Sequence, residues 1–318
     1  MRLARGSGLD GLAGMAPHLH FRDLGLSDAA MDKLQIIRPL LDVPRARLRA
    51  SLQQRGLAWI DDPSNLSPEF ERPRLRAARA LLNDIGLTDA MLALSATRLL
   101  RARRALDRVV QEFCSADAGA VRVDPCGYFV IDRARLQVAE EEIGLRVLGR
   151  VIAAAGGSHE WVPLAKLESI AAFLFAASGE AVRWTLARAM ITASDRVVTI
   201  ERELGREPLP RLELPAGART CWDGRFWVGF NARGELSAVE VRPLGEGPAR
   251  ELLRQGAVTT QTPVRAVALV PSFWRGERLL AVPSLEFWSD PNCRGVFEAQ
   301  FIWREAMRRD RLGGRGKD

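Results

Sequence analysis

The sequence predicts an α/β segment over residues 1–65, a mostly helical domain over 66–205 and a small α+β domain with a basic tail over 206–318. Three observations carry this. Two short apolar runs, "QIIRPLL" and "LAWI", flank a helix-patterned stretch near the N-terminus. Long stretches with apolar residues three and four apart fill the middle. Beyond a proline-rich joint the pattern changes to short strand-like runs separated by turn residues.

In the first segment "QIIRPLL" reads as a short buried strand ending at Pro39. "VPRARLRASLQQRG" follows as a helix, with Pro44 near its first turn and Gly56 as its stop. Leu48 and Leu52 share one face of it, and Arg45, Arg49 and Gln53 line another. "LAWI" (57–60) reads as a second strand. "RPLLDV" and "LAWI" look like edge pieces of a larger parallel sheet, since short strands without neighbours would expose apolar edges.

In the middle segment Ser67 caps a turn with Pro68 behind it, and Pro73 interrupts or restarts a helix. Leu75, Ala78, Leu82 and Ile85 form an apolar stripe. Residues 88–113 form a longer helix, with Leu92, Leu99, Ala102, Leu106 and Val109 read as inward. "VRVDPCGYFVID" reads as a hairpin around Asp-Pro-Cys-Gly. Two helices follow, over about 133–155 and 163–177, and "VRWTLARAMITASDRVVTIERE" closes the segment as strands. "GREPLPRLELP" is a linker. Beyond it "RFWVGF", "VRAVALV", "RLLAVPSL" and "VFEAQFIW" read as strands around one helix, "GPARELLRQG". The tail "MRRDRLGGRGKD" reads as basic and disordered.

Forty-six basic residues face 39 acidic ones, a net charge of +7 that favours an acidic partner such as nucleic acid. Only Lys33, Lys166 and Lys317 are lysines, and the bias of a GC-rich genome is an alternative explanation for the number of arginines, though not for their placement. No run of the ~18 apolar residues needed to cross a bilayer occurs, and no secretory signal is read at Met1; a cytoplasmic location is expected. The four cysteines are far apart with no CxxC pair, which argues against a zinc site or a disulfide framework.

Several stretches are candidates for chemistry. "RGSGLDGLAGM" (5–15) is a Gly-rich turn of the kind whose N–H groups cradle a phosphate. It is not a Walker loop, because no GK[ST] follows, and it is not an SGGxDS loop. His18 and His20, without a third ligand, make a poor metal site and read as an exposed loop. His159 is an acid or base without a visible partner. "WIDDPSNLSPEFERPRLR" (59–76) sets an acidic turn before a burst of arginines. If the chain is helical around Pro73, then Arg72, Arg76 and Arg79 share a face. Arg98, Arg101, Arg104 and Arg108 form a second basic stripe on the next helix. These arginines either pair with Asp61, Asp62, Glu69 and Glu71 or grip phosphates, whose geometry matches the guanidinium fork. Exposed pairs of the first kind contribute only ~0–1 kcal/mol, so stability hardly requires them.

"RGSGLDGLAGM", "IIRPLLDVPRARLRASL", "GLAWIDDPSN" and "FERPRLRAARALL" stand in the order seen in tRNA(Ile)-lysidine synthases, which the chain resembles over most of its length. Arg72-Pro73-Arg74-Leu75-Arg76 is similar to that family's Arg-Asn-x-Ile/Leu-Arg. "WTLARAMITASDRVVTIERE" resembles its strand pair after the helical domain, with Ala187-Arg188 in place of the usual Gly-Gly. "RLLAVPSL" resembles the start of its last strands. The resemblance implies that residues 1–65 are part of a PP-loop domain (adenine nucleotide alpha hydrolase-like), an α/β remnant. It also implies a reaction. ATP adenylates the C2 oxygen of the wobble cytidine in a CAU-anticodon tRNA(Ile), normally with Mg2+, and the ε-amine of lysine then displaces AMP. Arg5, Gly6, Ser7 and Gly8 would lie near nucleotide and wobble base. Asn65, Arg72, Arg74, Arg76, Arg79, Arg101, Arg104 and Arg108 would hold the tRNA. The family's SGGxDS loop and His/Asp-rich motif would precede Arg5 and do not occur in this sequence. The chain alone is therefore expected to bind neither ATP nor Mg2+ tightly, and it reads as the C-terminal part of such an enzyme. A non-catalytic tRNA-binding module is the alternative, and a homodimer is left open.

Overall fold

The computed structural model describes residues 6–20, 35–60, 75, 78–115, 118–158, 162–176, 181–205, 208–231, 237–258 and 260–303. The fold is mixed α and β, and among the described residues every pair of strands runs antiparallel. The described chain divides into two compact units, one up to residue 107 and one from 108 onward.

The first unit opens with a short helix, α1 (Leu9–Leu12), and a two-stranded ribbon, β1 (His18–His20) against β2 (Gln35–Ile37). His18 is exposed but lies in a strand, not in the expected loop; its backbone pairs with Ile37. Helix α2 (Arg45–Gln54) follows, starting at Pro44 and ending before Gly56. Gly56 takes φ +66 there, a value that favours glycine and lets Leu57 N–H reach back to Leu52. Leu57–Ile60 forms no strand. All four residues are exposed, and the described partner of β2 is β1. An apolar run without a strand to take its backbone groups does not become one. Helix α3 (Arg79–Asp84) comes next, and then α4 (Asp89–Phe113), whose residues from Arg108 on belong to the second unit.

In the second unit β3 (Val121–Val123) and β4 (Phe129–Asp132) form the expected hairpin. Helices α5 (Arg133–Val138), α6 (Glu141–Gly156) and α7 (Leu164–Phe175) follow. Arg133 is buried at 2 % exposure and stays satisfied by donating to the carbonyls of Leu174, Ser194 and Ala176. Strands β5 (Val182–Leu186), β6 (Ala189–Ala193) and β7 (Val197–Arg202) complete a five-stranded sheet, ordered β3-β4-β7-β6-β5. Helix α6 packs against β6 and β7 and is buried from Ile143 to Gly156 except at Arg146.

The C-terminal part continues with β8 (Leu212–Pro215), β9 (Arg219–Trp222), β10 (Phe226–Phe230), β11 (Ala238–Pro243), α8 (Glu246–Arg254), α9 (Val264–Val267), β12 (Pro271–Arg275), β13 (Arg278–Val282), β14 (Phe287–Trp288) and β15 (Phe297–Phe301). They make a five-stranded sheet, β14-β13-β12-β11-β8, and a three-stranded one, β15-β10-β9. Trp222, Phe226, Phe230, Phe273 and Val241 lie at the centre of the core between them. "VRAVALV" turns out to be helical at α9, not a strand. Pro263 begins it and Ala266 to Val270 are buried, so a run apolar throughout fits a buried helical turn as well as a strand.

One buried ionic junction ties this second unit together. The β5–β6 turn is Ala187-Arg188, with φ +50 and +64, and the β9–β10 turn is Asp223-Gly224, with φ +51 and +66. Positive φ at both central residues is the geometry of a hairpin turn whose twist matches its strands. Asp223 is fully buried and receives three guanidinium groups. Arg188 donates to it at 2.7 Å, Arg202 at 2.9 and 3.2 Å, and Arg225 at 2.7 Å. Both turns rest on Gly156 and Gly157 at the end of α6. A Cβ on Gly156 would stand 2.0 Å from the Ala187 carbonyl oxygen, and one on Gly157 would stand 2.1 Å from that of Asp223.

Candidate nucleic-acid interface

Helix α4 is the best-built candidate surface. It starts where Thr88 Oγ1 accepts the N–H of Met91, with Asp89 in its first turn. Its inward line is Ala96, Leu99, Arg103, Leu106 and Val110, spaced three and four apart. Leu92, Ala102 and Val109, expected inward, are exposed, while Leu99 and Leu106 are half-buried as read. The inward line passes through a charged residue, Arg103, which apolar counting skips. Arg103 is 1 % exposed and ion-pairs with Asp10 of α1 and Asp107 of its own helix, each at 3.7 Å. An arginine so placed anchors α1 to α4. Removing its acids would strip a buried charge of these two ion-pair partners.

The outward face carries Arg98, Arg101, Arg104 and Arg108, all exposed. Steps of three or four residues separate them, about 4.5–6 Å along the axis, so the row is about 15 Å long. None of the four has an ion-pair or hydrogen-bond partner among the described residues. Some arginines on other helices do have them, although the Arg47 side chain on α2 has none among the described residues. Exposed Arg250 pairs with Glu246 at 2.8 Å and exposed Arg254 with Glu251 at 2.7 Å. The α4 row is thus a run of unneutralised guanidinium forks at nearly the step of one nucleotide, suited to a phosphate backbone.

The remaining candidates are placed as follows. Arg79 is exposed on α3 and ion-pairs with Asp89 at the start of α4. Arg5, Asn65, Arg72, Arg74 and Arg76 lie outside the described residues, as do His159 and the acids Asp61, Asp62, Glu69 and Glu71. Gly6, Ser7 and Gly8 form the turn into α1, with Gly6 at φ +65. That turn fits a nucleotide phosphate poorly. Helix α1 has four residues, and its first turn contains an acid, Asp10, whose charge opposes an anion there. No step through ATP or Mg2+ is therefore assigned to the described residues. Burial pushes the Cys114 thiol up to about 12 and Cys126, beside Asp124, higher still, so neither is a nucleophile. No described helix is long and apolar enough to cross a membrane.

Comparison with known proteins agrees with the resemblance read in the sequence. Residues 1–83 match the model of the PP-loop domain. The chain is similar to the tRNA(Ile)-lysidine synthase of Ruegeria pomeroyi, at 31 % identity over 290 residues, which covers 89 % of this chain and 61 % of that protein. The tRNA(Ile)-lysidine synthase of Brucella suis biovar 1 is 27 % identical over 288 residues, 90 % of this chain and 60 % of the relative. That of Rhodopseudomonas palustris is 38 % identical over 214 residues, 63 % of this chain and 57 % of the relative. The chain therefore spans about three fifths of the length of the relatives it matches.

Proposed function

We propose that this chain, with its PP-loop match and its likeness to tRNA(Ile)-lysidine synthases, is the tRNA-holding part of such an enzyme. The complete enzyme would use ATP to join lysine to C2 of the wobble cytidine of a tRNA(Ile) with a CAU anticodon. The observation that carries the reading is the α4 row, four exposed arginines on one face with no described acidic partner. In this reading Arg98, Arg101, Arg104 and Arg108 hold successive phosphates of one strand, and Arg103 with Asp10 and Asp107 holds the helix in place beneath them. Arg72, Arg74, Arg76 and Asn65 would extend that grip, and Arg5 to Gly8 would lie near the wobble base. ATP and Mg2+ would supply the activated leaving group. Cytoplasm is the expected location, because the substrate is tRNA.

A second reading, a tRNA-binding module without the chemistry, is favoured by the poor fit of the Gly6–Gly8 turn to a phosphate. Titrating the chain with a CAU-anticodon tRNA(Ile) transcript and, separately, with ATP tests both. Either reading requires tRNA binding, and the enzyme reading also requires nucleotide binding once the rest of the ATP site is supplied. Absence of tRNA binding would overturn both.

A further inference from the structure

The hairpin of β12 and β13 ends in Arg275-Gly276-Glu277-Arg278. Gly276 takes φ +57 and Glu277 does not take a positive φ, the pattern of a two-residue turn with glycine first. The register sets Arg275 directly opposite Arg278. Residues so paired point to the same face, with Cβ atoms about 4.5–5.5 Å apart, and like charges in that position are destabilising. Both arginines are exposed. Neither has an ion-pair or hydrogen-bond partner among the described residues.

The nearby acid does not relieve them. The Glu277 carboxylate lies 3.5 Å from Arg242, which also pairs with Glu240 at 3.3 Å and stacks 4.2 Å over Trp274. Arg242 is thus neutralised and covered, while the two tip arginines have no acidic partner among the described residues. The preceding strand pair, Trp274 and Leu279, joins the apolar cluster, beside a register shift between Phe273 and Trp274. Two guanidinium forks borne on Cβ atoms this close can both reach one phosphate group, which accepts from each.

We propose that Arg275 and Arg278 form a phosphate clamp for the backbone of RNA, a second grip separate from the α4 row. The proposal rests on the tRNA reading above and adds a site in the C-terminal part of the chain. A pair kept only for folding would gain from losing its mutual repulsion. A clamp would lose its ligand.

The test uses the full chain and one tRNA(Ile) transcript, titrated at several salt concentrations, with melting temperature measured on the same samples. The R275A/R278A double variant is expected to bind about five- to tenfold more weakly, with a slope of log K against log salt shallower by about one. Its melting temperature is expected to stay level or rise. R275K/R278K should recover part of the loss, because lysine keeps charge without the fork. The R101A/R104A variant of α4 serves as a comparison. If it weakens binding while R275A/R278A leaves affinity and slope unchanged, the clamp is wrong and the tRNA reading stands. If the wild-type chain binds no tRNA, both fall. Displacement of the tRNA by polyglutamate at matched charge would also contradict the clamp, since it would show a general preference for anions.

Discussion

Arg188 reaches across from the turn of one hairpin and donates to Asp223 in the turn of another, at 2.7 Å. The contact couples two backbone positions that most residues avoid. Ala187 and Arg188 stand at positive φ where the resembled family has Gly-Gly, and each such residue costs about 1–2 kcal/mol. The junction offsets that cost. The Arg188 carbonyl accepts from Arg202 at 3.2 Å and from Glu203 N–H at 2.9 Å, while its side chain neutralises Asp223.

The Asp223→Ala variant should therefore be among the most damaging single changes. It leaves Arg202 and Arg225, 5 % and 1 % exposed at their side chains, without their carboxylate. Breaking a buried pair in this way costs about 3–5 kcal/mol. Burial alone would raise the Asp223 carboxyl, but Arg225 and Arg202 outweigh it and hold it below its ordinary value. A carboxyl lowered on folding contributes stability that is present above the unfolded value, about 3.9, and lost as pH falls through the folded one. Urea midpoints should thus fall with acid below about pH 4 in the wild type, and less steeply in Asp223→Asn.

Much of the fold was legible in the sequence, and what was missed has identifiable causes. Helix α2 was readable from Pro44 to Gly56, because proline and glycine punctuate a helix through their own backbone geometry. The β3–β4 hairpin and strands β5 to β7 followed from turn residues and alternation. The inward line of α4 did not, because its centre is Arg103, buried by pairing with Asp10 some ninety positions away in sequence. The Asp223 junction was likewise invisible, since nothing local distinguishes a turn aspartate that meets three arginines. "LAWI" and "VRAVALV" show the limit of short apolar runs, whose state is decided by partners elsewhere in the chain. Of the candidate site, the α4 arginines were readable from their spacing alone.

Glu201 should show the opposite pH behaviour to Asp223. It is 3 % exposed at its side chain and ion-pairs with Arg265 at 2.5 Å. Burial pushes its carboxyl up, against the pull of Arg265 and Arg183. A carboxyl raised on folding binds its proton more tightly in the native state. Its contribution is favourable at low pH and is lost as pH rises from the unfolded value, about 4.3, through the folded one. Glu201→Gln should flatten that decline and leave the protein at least as stable at pH 7. A steeper decline in the variant would show that Arg265 dominates after all.

Gly156 and Gly157 should not accept a side chain. A Cβ on Gly156 would press on the Ala187 carbonyl oxygen at 2.0 Å, and Gly157 also stands at φ +62. Gly156→Ala should cost about 3 kcal/mol, the upper part of the range for overpacking. A melting temperature within a degree of wild type would mean that the turns yield freely.

The Arg103→Met variant tests the support beneath the α4 row. Asp10 and Asp107 would lose their shared cation, so α1 should detach from α4 and amide exchange over residues 9–12 should accelerate. Replacing Arg101, on the outer face, should leave exchange there unchanged.

The most direct measurement is the salt dependence of tRNA(Ile) binding by the chain and by a variant with Arg98, Arg101, Arg104 and Arg108 all replaced by alanine. These side chains are exposed and have no described partner, so the melting temperature should hardly move. If each neutralises one phosphate, the slope of log K against log salt should become shallower by about three, and affinity should drop at every salt concentration. A folded variant that binds tRNA with wild-type affinity and slope would contradict the account.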